Sequence, residues 1–192
     1  MTDVPSLTGL FLVFDALERL GIPYLLGGSF ASSIHGEARA TRDADLLIDM
    51  PTATADALTE ALGSSFYADA EMMRTSIAHG ISFNVIHLPT GFKVDFYSAA
   101  SRDFEDSQLR RRRAERIGDR LVPVASPEDI LLAKLRWYRE GGEVSDRQWR
   151  DVQGIVEQQQ DRLDVDYLRS WARLLGVADL LERSLRRAER TG

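Results

Sequence analysis

The chain has 192 residues, 44% of them hydrophobic and 28% charged, with no cysteine and a formal net charge of −6. Length and composition suit one large globular domain or two small ones with a real core; the missing cysteine excludes disulfides and thiolate metal sites, and the acidic balance disfavours extended non-specific nucleic-acid binding. No apolar run approaches the roughly 18 residues of a membrane span, and the opening MTDVPSLTGL carries an acid where a secretory leader would be basic, so the expected location is the cytoplasm, with no membrane partner.

Leu7, Leu10, Phe11, Phe14, Leu17 and Leu20 share a helical stripe, which predicts a helix over 6–20 with Ser6 as N-cap and Gly21 as its stop. Residues 22–26 read as a short buried strand that runs into Gly27-Gly28-Ser29, and 29–35 as a short helix ended by Gly36. Asp43–Asp49 is a second strand closed by Pro51, and 53–62 a helix ended by Gly63. Residues 65–80 carry no clear signal. Ser82–Leu88 and Phe92–Ser98 then read as strands joined through Pro89-Thr90-Gly91. In the second, Phe92, Val94 and Phe96 alternate with Lys93, Asp95 and Tyr97, the period-two pattern of a strand with unlike faces.

From residue 102 the chain becomes highly charged, and Arg110–Arg113 with Arg116 form a basic run whose ordinary reading is a solvated helix face and whose functional reading is a contact to acceptor RNA or triphosphate. Leu121–Val124 is a candidate last strand. Ser126-Pro127-Glu128-Asp129 then combines a serine N-cap, a proline at the first helical position and acids in the first turn. The helix it opens, to about Arg139, has Ile130, Leu131, Leu135 and Tyr138 on its core face, with Lys134 among them. Ser145-Asp146 starts another helix with Trp149, Val152, Ile155 and Val156 inward, and two more follow around 165–175 and 177–189. Trp137, Trp149 and Trp171 fall at core positions, and the three histidines have no metal-ligand spacing. The reading is an α/β (α+β) chain: a mixed sheet flanked by helices over 1–120, then a helical portion over 121–192.

Three stretches carry chemistry. Asp43 and Asp45 are two apart on a strand, so both project from one face, with Cα atoms about 6.5–7 Å apart. Carboxylates so placed can share divalent ions, although a pair of solvated acids at a strand's start gives the same pattern. Asp95 lies mid-strand between Val94 and Phe96, where an acid needs water, a cation or a partner. It would complete a metal-binding trio if its strand lay beside the first; alternatively it sits on the wet face of an edge strand. Gly27, Gly28 and Ser29, between a strand and a helix, can turn backbone N–H groups and a hydroxyl toward a phosphate. No Walker A or G-x-G-x-x-G pattern is present, and a plain turn is the competing reading.

Taken together, G-G-S, then R-x-T-x-D-x-D from Arg39 through Thr41 to Asp45, then an apolar-Asp-apolar strand fifty residues on, resembles the nucleotidyltransferase superfamily that includes DNA polymerase β. The resemblance covers residues ~22–98. It implies that Gly27, Gly28 and Ser29 hold a nucleoside triphosphate together with Arg39 and Thr41. It further implies that Asp43 and Asp45 bind two Mg²⁺ ions and that Asp95 completes the metal site. The helical half looks like that of small bacterial members, the AbiEii-like toxins and antibiotic nucleotidyltransferases, in which a lysine and a downstream acid on consecutive helices belong to the active site. Lys134 and Asp151 are the matching positions. For Lys134 the competing reading is a stem laid on the core with its head in water.

The expectation is therefore a Mg²⁺-dependent enzyme that moves a nucleoside monophosphate from an NTP to an acceptor hydroxyl and releases pyrophosphate. The acceptor stays open between a small molecule, a protein side chain and tRNA. An antitoxin partner and a non-catalytic binding module that keeps the fold stay open as well.

Overall fold

The computed structural model describes residues 4–37, 43–99 and 102–188. In chain order the elements are α1 (Val4–Arg19), β1 (Tyr24–Leu26), α2 (Gly28–His35), β2 (Asp43–Ile48), α3 (Ala55–Leu62), β3 (Phe66–Tyr67), α4 (Ala70–His79), β4 (Phe83–His87) and β5 (Phe92–Ser98). After these come α5 (Asp103–Arg111), β6 (Arg113–Ile117), β7 (Arg120–Val124), α6 (Pro127–Glu140), α7 (Asp146–Gln159), α8 (Val165–Leu174) and α9 (Ala178–Ala188). Two compact units form, Met1–Gly27 with Ala40–Val124 and Gly28–Arg39 with Ala125–Gly192. The first contains every strand. The second takes the short helix α2 out of the middle of the first and joins it to α6–α9. The sequence reading instead divided the chain at residue 120 and left α2 with the sheet.

In the first unit seven strands form one sheet in the order β3-β4-β5-β2-β1-β7-β6. It is mixed, as expected: β2 with β5 and β1 with β7 run parallel, and the other pairs antiparallel. Alternation sets what each central strand buries. Ala44, Leu46 and Ile48 of β2 and Val94 and Phe96 of β5 are fully buried, while Asp43, Asp45, Lys93 and Asp95 stand on the opposite face, half-buried. The α1 stripe of Leu10, Phe14 and Leu17 is wholly buried. Arg120 of β7 ties that helix down, donating to Asp15 Oδ1 and Glu18 Oε2 at 2.6 Å each while its guanidinium lies 5.6 Å from the Phe14 ring centroid.

Several expectations change. The first helix begins at Val4, so Ser6 is not its cap, and Pro5 sits in the first turn, where a missing N–H costs nothing. Residues 65–80 hold β3 and α4; the helix is capped by the Asp69 side chain, which accepts from the Met72 N–H, and closed by Gly80 at φ 64°. The basic run is not one helix face: Arg110 and Arg111 end α5, and Arg113 and Arg116 lie on β6, the outermost strand beside β7. Of the three tryptophans only Trp149 is buried; Trp137 and Trp171 are half-buried.

The α1–sheet contact yields a prediction with two opposed terms. Alanine at a helix-interior glycine gains about 1 kcal/mol in helix propensity. A Cβ at Gly9 would, however, stand 2.8 Å from both Cβ and Cγ of His87 on β4. Overpacking of this kind costs about 1–3 kcal/mol, and a side chain rooted in a sheet strand cannot retreat freely. Gly9→Ala should therefore lower the urea midpoint; a raised midpoint would mean that the helix shifts freely on the sheet.

Candidate active site

The acidic cluster is built by one register. Parallel pairing of β2 with β5 sets Asp45 opposite Asp95 and Asp43 opposite Lys93. All four side chains share a face, and the condition set by the sequence reading, that the Asp95 strand adjoin the Asp43–Asp45 strand, holds. β5 lies between β4 and β2, so Asp95 is on an interior strand and not on a wet edge. Across β5, Asn84 of β4 pairs with Asp95. A row Asn84, Asp95, Asp45 thus crosses three neighbouring strands.

The cluster's electrostatics involve two residues besides the three aspartates, Lys93 and Tyr97. Lys93 Nζ lies 2.7 Å from Asp95 Oδ2. The hydrogen bond it donates to Asp95 raises its pKa above the ordinary lysine value, against the opposing effect of burial, and the charges of Asp95, Asp43 and Asp45 add to the rise. The Tyr97 hydroxyl donates to Asp45 Oδ1 at 3.4 Å. Burial first, and then the negative charges of Asp45 and Asp95, hold that phenol well above its usual range. Both residues were in view as the polar alternates of β5, since positions 93, 95 and 97 must share a face.

The donor set suits a hard divalent cation, because Mg²⁺ takes oxygen ligands and three carboxylate-bearing positions adjoin on one face. The cluster also already holds a cation, the Lys93 ammonium. As the side chains stand, no three His, Asp or Glu among the described residues converge on one point as metal ligands do. A divalent ion would therefore need the carboxylates to turn toward one another.

In the second unit, Gly28 and Ser29 form the first turn of α2. Gly28 has φ 54°, a left-handed value that favours glycine, whereas Gly27 has ordinary room for a methyl, its nearest neighbour being the Asp45 carbonyl at 3.7 Å. Gly27 belongs to the first unit and donates its N–H to that same carbonyl at 2.8 Å. Arg39 and Thr41 lie outside the described residues.

Glycine also lets α2 and α7 meet. A Cβ on Gly36 would be 3.0 Å from backbone atoms of Gly154 and Ile155, so the two helices approach main chain to main chain. His35 Nε2 is bonded to the Ala125 carbonyl at 2.8 Å, and Gln159 Nε2 donates to the His35 carbonyl at 2.9 Å. With α2 held so, Arg147 of α7 donates to the Ser29 hydroxyl at 3.3 Å. Farther along the same helix, Asp151 accepts from Lys134 Nζ at 2.6 Å, with Gln148 Oε1 at 3.3 Å. Lys134 is 2% exposed, so its head does not reach water. Helix spacing puts Arg147, Gln148 and Asp151 within about one turn of one another.

Residues 12–189 match the family described as nucleotidyl transferase AbiEii toxin, type IV TA system. The chain belongs to this AbiEii nucleotidyltransferase family. It is accordingly a nucleotidyltransferase, and its fold agrees with that of solved relatives. The antigenic nucleotidyltransferase-like protein from Paracoccidioides brasiliensis is similar at 20% identity with a TM-score of 0.58, over 96% of this chain and 94% of that one. The antibiotic-resistance factor ANT(2'')-Ia in solution is similar at 14% identity and a TM-score of 0.56, over 95% and 98%. The same factor in complex with adenylyl-2''-tobramycin gives 16% identity and 0.56, over 88% and 98%. Likenesses at these identities speak for the fold. No curated protein sequence matches the chain significantly.

In this AbiEii-family chain the Lys134–Asp151 pair is an ion pair with both side chains largely out of water. Removing one partner of a buried ion pair leaves an uncompensated charge and costs about 3–5 kcal/mol, whereas replacing both with apolar groups is often close to neutral. Lys134→Met should therefore destabilise by about 3 kcal/mol, and Lys134→Met with Asp151→Leu by clearly less, both read from urea unfolding. A double variant no more stable than Lys134→Met would show that the two side chains are not coupled.

Proposed function

We propose that the protein transfers a nucleoside monophosphate from an NTP to an acceptor hydroxyl with the help of divalent metal, Mg²⁺ by preference. The observation that carries this reading is the parallel register that pairs Asp45 with Asp95 while Asp43 stands on the same face. Asp43, Asp45 and Asp95 would hold the metal. Bound there, Mg²⁺ would neutralise phosphate charge and lower the barrier to in-line displacement.

The remaining roles fall to the chain's own groups. Asp95 accepts the proton of the acceptor hydroxyl, whose oxygen forms a bond to the α-phosphorus as the bond from that phosphorus to the bridging oxygen breaks and pyrophosphate leaves. Gly28 and Ser29 offer N–H and hydroxyl donors at a helix start, where anions are favoured. Lys134 would supply positive charge for the triphosphate only once its head leaves the buried pair with Asp151. Arg39 and Thr41, which precede Asp43 in the sequence, would add further donors.

The acceptor has two readings with separate support. A hydroxylated small molecule is favoured by the fold shared with a factor seen in complex with adenylyl-2''-tobramycin. A protein or tRNA hydroxyl, together with an antitoxin partner that silences the enzyme, is favoured by the toxin description of the family. The discriminating experiment supplies each labelled NTP with Mg²⁺ to three acceptor pools: total tRNA, cell-extract protein and a panel of hydroxyl-bearing small molecules. One pool should become labelled, and EDTA should stop the labelling. In that pool Asp95→Asn should lower kcat by about 10²–10⁴-fold, the range for loss of a general base. Turnover equal to wild type in Asp95→Asn would sink the assignment.

A further inference from the structure

Three carboxylate-bearing positions on one sheet face repel one another when no metal is bound, and a chain that folds before it is loaded needs something to offset that repulsion. Among the described residues a cation stands in the cluster: Lys93, two positions before Asp95 on β5 and so on the same face. Its Nζ is 2.7 Å from Asp95 Oδ2, and Asp43 and Asp45 are within electrostatic reach of it. Two features make this contact exchangeable. The Lys93 side chain is 42% exposed, against 3% for Lys134 in its pair with Asp151, so its head can turn into water. A half-exposed ion pair is also weak, and a lysine stem is flexible enough to retract without moving the strand.

We propose that Lys93 is a resident counterion of the aspartate cluster, one that supplies positive charge to Asp95 and its neighbours in the unloaded enzyme and must leave Asp95 before a divalent ion can bind. The ammonium and the metal then compete for the same carboxylate. A divalent ion brings two charges against one, so it wins, but at reduced affinity. The competition keeps the unloaded cluster folded and makes metal uptake weakest when no other anion, such as the triphosphate, accompanies the ion. The inference rests on the reading of Asp43, Asp45 and Asp95 as metal ligands.

The test titrates Mn²⁺ into nucleotide-free protein, reading free Mn²⁺ by electron paramagnetic resonance, with thermal melts in EDTA and in Mg²⁺ alongside. Lys93→Met should bind Mn²⁺ about tenfold tighter than wild type, the order expected when one unit charge is removed beside a partly solvated site. It should melt lower than wild type in EDTA and recover that loss in Mg²⁺. Lys93→Arg, which keeps the charge, should bind no more tightly than wild type and guards against a Met variant that folds poorly. Binding by Lys93→Met at or below wild-type strength, or equal tightening in Lys93→Arg, overturns the proposal while leaving the metal site standing. If neither wild type nor Lys93→Met takes up Mn²⁺ at millimolar concentration while both remain folded, the metal reading of the aspartates falls, and this inference with it.

Discussion

The parallel pairing of β2 with β5 is the constraint on which the acidic cluster depends. Two strands that run the same way must be joined by a crossover, and the residues between Ile48 and Phe92 supply one that includes α3, β3, α4 and β4. The backbone ladder fixes six residue pairs from Asp43↔Lys93 to Ile48↔Ser98. A slip of one residue would turn Asp45 or Asp95 toward the apolar layer, where Leu46, Val94 and Phe96 are fully buried. Burying an unpaired carboxylate there would cost several kcal/mol, about as much as the stability of a small domain can spare. The hydrophobic pattern therefore enforces the register, and the register gathers the charges.

The second unit is held by a different means. Its helices meet where side chains are missing, at Gly36 and Gly154, and where charges are paired away from water, at Lys134 and Asp151. Neither device contributes much net stability. A glycine within α7 weakens the helix by about 1 kcal/mol relative to alanine, and a buried ion pair often only breaks even. What both provide is definition: the main chains of α2 and α7 come close at the glycines, and the lysine head is held by Asp151 at 2.6 Å with Gln148 beside it. Across the same pair of helices the Arg147 guanidinium donates to the Ser29 hydroxyl at 3.3 Å.

Much of this was legible in the chain itself, and for physical reasons. The alternation across Phe92–Ser98 displayed its two faces, and Ser126-Pro127 announced α6, whose serine does cap the Asp129 N–H. Strand order was not legible, because pairing of Asp45 with Asp95 depends on contacts fifty residues apart and on a crossover whose middle gave no signal. Helix α4 escaped notice because only Met73, Ser76 and Ile77 of it are buried, too few to print a stripe. The arginine run misled because charge density says nothing of period: α5 ends within it and β6 begins. Lys134 was the opposite case: its place on the core face and its acid partner Asp151, seventeen residues on, were both legible, but not that the pairing would draw its head out of water.

The two units are also interleaved along the chain, since the second claims residues 28–39 from within the span of the first. A cut after Val124 would leave α2 behind without the Ala125 carbonyl that His35 bonds and without Gly154, against which Gly36 is fitted. Neither half can then be inherited, fused or expressed alone as an uninterrupted stretch. A recombination event that exchanged the helical portion for another would have to respect a twelve-residue insert nearly a hundred positions upstream. The order of the chain therefore does not follow the order of its compact units, and a single break point cannot separate them.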